Sequence, residues 1–517
     1  MRTLADLKSF TREATGILAR EKDLASYEIY CASAEHRIAR LNYTSDIPSR
    51  GLEEFKSLHA DGFQLRIAMR RDPHEVGAAS EAGDFSSDSV RDALHRARSA
   101  AVVDPHFPGF PSVPLGRKPA LSEKSDLARV GDGAIAAAAW DVLDGALAAF
   151  AKRSANDRFG ASRIEHPGLI VGGDVSVIRD RIAIFNSNFA FAEVRVDESA
   201  HFNASVTSII ESLDAKGTAG ALGDCAAAMR RAGRVLGRDA VRRALALSHG
   251  ARPASGKFRV VLGPQPVAEI LNYLVMGSLT TGAFHAASSA YHAKFGAPVM
   301  DSRLSLADDP AFSAGAIRRR ITCEGIPTRR VELIRDGKLV GLLSNFYDTH
   351  RLLTDEHRAE KLGGCAPAKL DFDPLSGYRL GEGGGRRFDA SPAAAGTNVV
   401  MRARGGVTDR ELVRAVGDGI YVGRIWYTYP INGQRAATSP APSAATLTSF
   451  ATAKSPNRSP PTVCASTRAS RMCSSIRSRS VCGRIRPPYG ARPRPTTFPP
   501  SPPARSHWPK SPPPDYL

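Results

Sequence analysis

Three places in this 517-residue chain hold residue types that could bind a metal ion or move a proton. Glu269 lies in an apolar helical stretch, Pro266 to Gly277, where a carboxylate could act as a general base. His285 and His292 follow it, seven residues apart, and would share one face if both stood on a helix. His74-Glu75 is the third place. A hydrolytic zinc centre needs about three protein ligands and an open position. The stretch Pro266 to Gly277 offers no histidine, and His74 has no second histidine at metal spacing. Glu269 therefore reads as a solvent-facing helix residue and His74-Glu75 as a loop pair. His285 and His292 read as ordinary polar positions, with a metal pair as the rival. No residue is assigned as catalytic or metal-binding, and no substrate-binding residue can be named.

Other chemistries find no frame. There is no Gly-x-Ser-x-Gly elbow, no Walker loop and no dinucleotide fingerprint. Gly381 to Gly385 is glycine-rich but lacks a strand–loop–helix context, so it reads as flexible. Cys31, Cys225, Cys323 and Cys365 form no Cys-x-x-Cys pair, which suits a reducing cytoplasm. The start lacks a secretory apolar region, and no run of about 18 apolar residues is read as a membrane span.

The elements that must position these residues are an alternation of helices and strands. Helices are expected at Leu4–Ala19, Asp88–Ala101 (capped by Ser87 or Asp88), Gly133–Lys152 and Asp224–Leu247. Extended segments are expected at Ser26–Tyr43 and Phe63–Met69, with three or four strands in Leu169–Ile210. His249 to Gly256 reads as a linker. Beyond it come a strand at Lys257–Leu262 and an amphipathic helix at Pro266–Leu279. The most specific run is Glu324 to Leu343: a turn at Gly325–Thr328, then a strand, then a hairpin at Asp336-Gly337. Gly363 to Gly396 reads as a long loop.

At Arg435 the composition breaks. Residues 436–517 hold 17 of the 35 prolines, 12 Lys/Arg and one acidic residue, Asp515. About +11 of the formal +18 charge lies there, leaving 58 Lys/Arg against 51 Asp/Glu in residues 1–435. Such a segment cannot offset its chain entropy by burial, so it is expected to be disordered. The genetic code also permits a frameshift near codon 436. Read from the third base of each codon, Ala437 to Lys454 can encode a strand, a turn and a strand beginning Gly-Asp-Phe-Thr. As the rival, a basic tail could bind nucleic acid.

Two runs carry a family resemblance: the acidic-Gly-x-Pro-Thr turn with its hairpin (Glu324 to Leu343), and Gly423-Arg424-Ile425-Trp426-Tyr427-Thr428-Tyr429-Pro430-Ile431-Asn432-Gly433. With the N-terminal plan, they resemble the TldD/PmbA family, also called modulator of DNA gyrase, over about residues 5–435. The resemblance implies an α+β fold: an N-terminal α+β domain (1–250), a C-terminal domain dominated by antiparallel sheet (256–435), and the tail (436–517). It also implies a cytoplasmic complex of two homologous subunits. The TldD-type subunit holds zinc through a His-Glu-x-x-x-His helix and a later cysteine. The PmbA-type subunit lacks these ligands. Here the corresponding helix, Pro266 to Gly277, lacks histidine. The expectation is thus a non-catalytic, peptide-guiding subunit that binds no cofactor itself. It would work beside a TldD-type partner on peptides or unfolded polypeptide, with no membrane and no specific nucleic acid as partner. An active enzyme with a rearranged metal site is the alternative.

Overall fold

The computed structural model describes residues 1–47, 51–71, 75–112, 125–156, 168–190, 193–247, 257–364, 373–426, 428, 430, 433 and the strands 447–452, 462–467 and 482–485. The expected linker His249–Gly256, His74 and Cys365 lie outside the described residues.

The first part is one antiparallel sheet of seven strands with four helices: α1 (Leu4–Leu18), β1 (Leu24–Thr44), β2 (Lys56–Met69), β3 (Glu75–Ala82), α2 (Ser87–Ser99), β4 (Val102–Val103), α3 (Asp132–Asn156), β5 (Leu169–Asn186), β6 (Arg195–Ile210), β7 (Ala215–Gly223) and α4 (Ala226–Leu247). The spatial order is β4-β3-β2-β1-β5-β6-β7. Leu169 to Ile210 forms two long strands, not three or four, because β1 is long enough to pair with β5 along its length. Ser86, not Ser87, caps α2. Side chains alternate along a strand, and here the alternation assigns each face a task. Ile29 and Cys31 pack with α1 and α2, and Ala39 and Leu41 with α3 and α4, so one face carries all four helices. Tyr30, Ala32, Ile182 and Ile184 point the other way and meet Ile321, Cys323 and Phe388 of the second part. Over Asp132–Lys152, α3 is long and apolar enough to cross a membrane by length and composition alone, although Asp141 and Asp144 interrupt it. Its Ile135, Ala138, Val142 and Ala146 belong to the buried core against the sheet and α4.

The second part contains β8 (Phe258–Leu262), α5 (Pro264–Ile270), α6 (Thr281–His285), β9 (Leu304–Asp308), β10 (Val331–Arg335), β11 (Lys338–Leu339), α7 (Phe346–Thr354), α8 (Arg358–Leu362), β12 (Gly377–Tyr378), β13 (Ala393–Ala394), β14 (Val399–Ala403), α9 (Asp409–Val416), β15 (Ile420–Val422) and β16 (Arg424–Trp426). The sheet β11-β10-β9-β14 is antiparallel, while β15 runs parallel to β8. Asp336 (φ 48°) and Gly337 (φ 78°) make the expected tight turn of the β10–β11 hairpin. Where the tail composition predicts no strand, β17 (Leu447–Thr452) pairs with β16, β18 (Thr462–Thr467) with β17, and β19 (Cys482–Ile485) with β8. Open strand edges recruit extended backbone through main-chain groups, which makes few demands on sequence.

The second part closes over the polar face of the large sheet with three fully buried arginines. Arg386 donates Nε–H to Asp180 (2.7 Å) and Nη1–H to Asp197 (2.7 Å). Arg379 lies 3.6 Å from the Glu28 carboxylate, donates to Gln64 and covers the Tyr30 ring. Arg319 donates to the Gly384 carbonyl (2.7 Å) and stacks on Tyr378. The Glu324–Thr328 turn belongs to the same contact. Arg195 of β6 donates to the Gly325 carbonyl (2.6 Å), and Gly325 (φ 76°) lies so close to Phe189 that a Cβ would stand 2.5 Å from its ring. Glu324 is buried and accepts the Phe346 N–H at the start of α7 (3.0 Å).

Two predictions follow from these buried charges. Replacing Arg386 with Met leaves Asp180 and Asp197 buried without their cation, which should cost about 3–5 kcal/mol in urea unfolding. A loss below about 0.5 kcal/mol, typical of surface positions, would contradict the clamp. Burial pushes the Glu324 carboxyl up to about 7 from its ordinary 4.5, and Glu28 adds to the rise, against the Phe346 N–H and Arg66. Between those values the folded chain holds a proton the unfolded chain has released. The Glu324 contribution is therefore full below 4.5 and is lost as pH rises towards 7. Glu324→Gln should accordingly gain on the wild type between about pH 5 and pH 8, by on the order of 3 kcal/mol in unfolding free energy. A difference that does not change with pH would contradict it.

Candidate functional site

The segment after β8 begins at Gly263, whose N–H donates to the Val422 carbonyl (2.9 Å), and Pro264 opens the helix with a preset φ. The expected single amphipathic helix Pro266–Leu279 is a rod with three hydrogen-bonding registers. It is α-helical to Ile270, π-helical over Leu271–Val275 and 3-10 over Met276–Ser278. The wider π turn lets three consecutive residues, Leu274, Val275 and Met276, all reach the core, which the period of an α-helix does not allow. Asn272, Tyr273 and Gly277 stay exposed.

Glu269 is half-buried, not fully solvent-facing. Its Oε1 accepts from Gln265 Nε2 (2.9 Å). Gln265 in turn grips the backbone of Ile425 from both sides: it accepts the N–H (3.0 Å) and donates to the carbonyl (3.3 Å). Burial holds the neighbouring Arg424 guanidinium below its usual range, while the Glu269 charge pulls it back up. The one carboxylate on the helix is thus engaged in fastening β16. A zinc ion would need two more ligands here, and Asn272 and Tyr273 are poor candidates. The residues do not fit the zinc that the resemblance implies for a TldD-type subunit. Among the described residues, no group of three or more His, Cys, Asp or Glu could hold a metal ion. The tie from Gln265 to Ile425 joins residues 160 apart in sequence, and no local signal announces it.

His285 and His292 do not share a helix. α6 ends at His285, Ala287 takes a positive φ (51°), and the His292 N–H donates to the Ser289 carbonyl within a turn. The His285 ring lies 3.4 Å from Asp355 and faces His106 at 6.3 Å. Burial lowers its pKa, and Arg351 and Lys361 lower it further. Those cations would also repel a bound dication. The glycine run is not merely flexible. Gly381 N–H donates to the Gly385 carbonyl (2.9 Å), and Gly384 presents its carbonyl to Arg319. Cys31 and Cys323 are buried, and burial pushes both thiols up, the former to about 12, so neither is a ready nucleophile.

Residues 255–441 match the PmbA/TldA metallopeptidase C-terminal domain. No curated protein matches the chain in sequence. Its fold is shared with TldE from Thermococcus kodakarensis (TM-score 0.66, 13% identity, 91% of this chain and 92% of that one). It is also shared with two candidate modulators of DNA gyrase. One is from Bacteroides thetaiotaomicron (TM-score 0.64, 14% identity, 93% of this chain and 97% of that one). The other is from Thermotoga maritima (TM-score 0.63, 14% identity, 92% of this chain and 98% of that one). Residues 255–441 thus belong to the PmbA/TldA metallopeptidase C-terminal domain family, on a fold that more than nine-tenths of the chain shares with these solved structures.

Proposed function

We propose that this chain is the subunit without metal chemistry in a TldD/PmbA-type metallopeptidase pair, and that it guides extended peptide or unfolded polypeptide to a zinc-bearing TldD-type partner. The donor set of the Pro264–Ser278 rod carries the proposal: one carboxylate, already engaged by Gln265, and no histidine. In such a pair, hydrolysis by metal-activated water belongs to the partner. This chain's part is to line the path. Asn272 offers amide donors and an acceptor, and Tyr273 a phenol, both groups that can hold extended backbone. Buried, unpaired Cys31 and Cys323 are consistent with a reducing cytoplasm.

The test is reconstitution. Purified alone, the chain should carry no stoichiometric zinc and cleave no unfolded polypeptide. With a His-Glu-x-x-x-His relative from the same genome it should co-purify and support cleavage. Asn272→Ala with Tyr273→Ala should raise KM several-fold without weakening association. Zinc bound to the isolated chain, together with autonomous cleavage, would overturn the reading.

We also propose that the segment after Arg435 is read out of frame; the domain match ends at residue 441, close to the composition break. Resequencing the DNA across codons 433–440 should reveal a one-base change that restores a Gly-Asp-Phe-Thr continuation. Early stop codons in the other frames would refute it.

A further inference from the structure

Helix α4 carries Arg230, Arg231, Arg234, Arg238, Arg242 and Arg243 within its 22 residues. Four of them, Arg230, Arg234, Arg238 and Arg242, recur every fourth residue and so stand in one row. At 1.5 Å per residue that row is about 18 Å long, with a guanidinium about every 6 Å. Arg230, Arg231, Arg234, Arg242 and Arg243 are exposed and Arg238 is half-exposed. Acidic compensation is thin. Asp239 pairs with Arg238 (3.2 Å), and Asp141 and Asp144 lie on the adjoining α3. Arg243 donates to the Thr218 carbonyl (2.5 Å).

The row is held rigidly. Gly233 and Gly237 let α4 approach α3 so closely that a Cβ at Gly237 would stand 1.8 Å from the Val142 carbonyl. Gly217 of β7 likewise lies against the Ala240 carbonyl. Met229, Leu236, Ala240 and Val241 are buried beneath. Like charges four residues apart destabilise a helix, so only an external polyanion would turn this row to advantage.

We infer that the α4 face is a docking surface for the phosphate backbone of nucleic acid, bound without regard to sequence. This goes beyond the subunit reading and does not depend on it. Two features favour phosphates over an acidic protein. Among the described residues of α4 no large apolar side chain is exposed, whereas protein interfaces place apolar or aromatic anchors at their centre. Nucleic-acid contacts are polar, wet and strongly positive. α4 also carries no Asn, Gln, Ser or Thr to add further contacts to base edges, so its polar groups on this row are guanidiniums suited to phosphates.

The test uses the full chain, so that the basic tail contributes equally to every sample. Binding to a 20-base-pair duplex is measured at several salt concentrations for the wild type and for two quadruple variants at residues 230, 234, 238 and 242, one with Gln and one with Lys. The Gln variant should bind at least tenfold more weakly at low salt. Its log–log salt slope should be shallower by about three to four, near 0.9 per lost phosphate contact. The Lys variant should keep the slope, and circular dichroism should show unchanged helix content in both. Equal slopes for wild type and Gln variant would overturn the proposal and assign duplex binding elsewhere, the tail included. Arginine-dependent binding of polyglutamate without arginine-dependent binding of duplex would overturn it in favour of an acidic protein.

Discussion

The ion pairs of Arg386 with Asp180 and Asp197 are the constraint on which the rest of the arrangement depends. A carboxylate on the face of a sheet is at ease in water and costly when covered. Asp180 and Asp197 are 1% and 4% exposed, so the segment that covers them must bring its own cation. It brings three, and all are buried. Such a clamp adds little net stability, since desolvation consumes most of the attraction. It does make any other placement of the second part expensive, because displacement strands charges on both sides.

The Glu324–Thr328 turn is part of that clamp. Its acidic residue caps the start of α7, its glycine sits against Phe189 where no side chain fits, and its threonine hydroxyl donates to the Arg319 carbonyl (2.5 Å). The most specific run in the sequence therefore serves architecture. The helix that could have carried chemistry also serves architecture, through Gln265, Glu269 and Ile425. Both observations support the proposal that the chain shapes a site rather than supplying its reacting groups.

Much of this was legible in the residues. The four helices of the first part follow apolar periodicity and good helix formers, and the Asp336-Gly337 hairpin follows from turn chemistry. The clamp was not legible. Nothing local distinguishes Glu28, Asp180 (between Arg179 and Arg181) and Asp197 (beside Glu198) from solvated strand positions; only the fold reveals that Arg379 and Arg386, some 200 residues or more downstream, cover them. The π turn was missed because helical periodicity assumes one register throughout. The arginine row on α4 has no interleaved aromatic residue to set it apart from an ordinary solvated helix face. The absence of histidine from Pro266 to Gly277, in contrast, needed no structure.

Native-state hydrogen exchange tests the clamp most directly. If the turn and the buried arginines lock the second part onto the sheet, the amides of Thr322, Gly325 and Thr328 should exchange only through the opening that also exposes the centres of β1 and β5. All should then report the same free energy of opening. Exchange of the turn amides at a much lower free energy, with β1 and β5 still protected, would show that the second part lifts off freely and that the buried charges do not hold it.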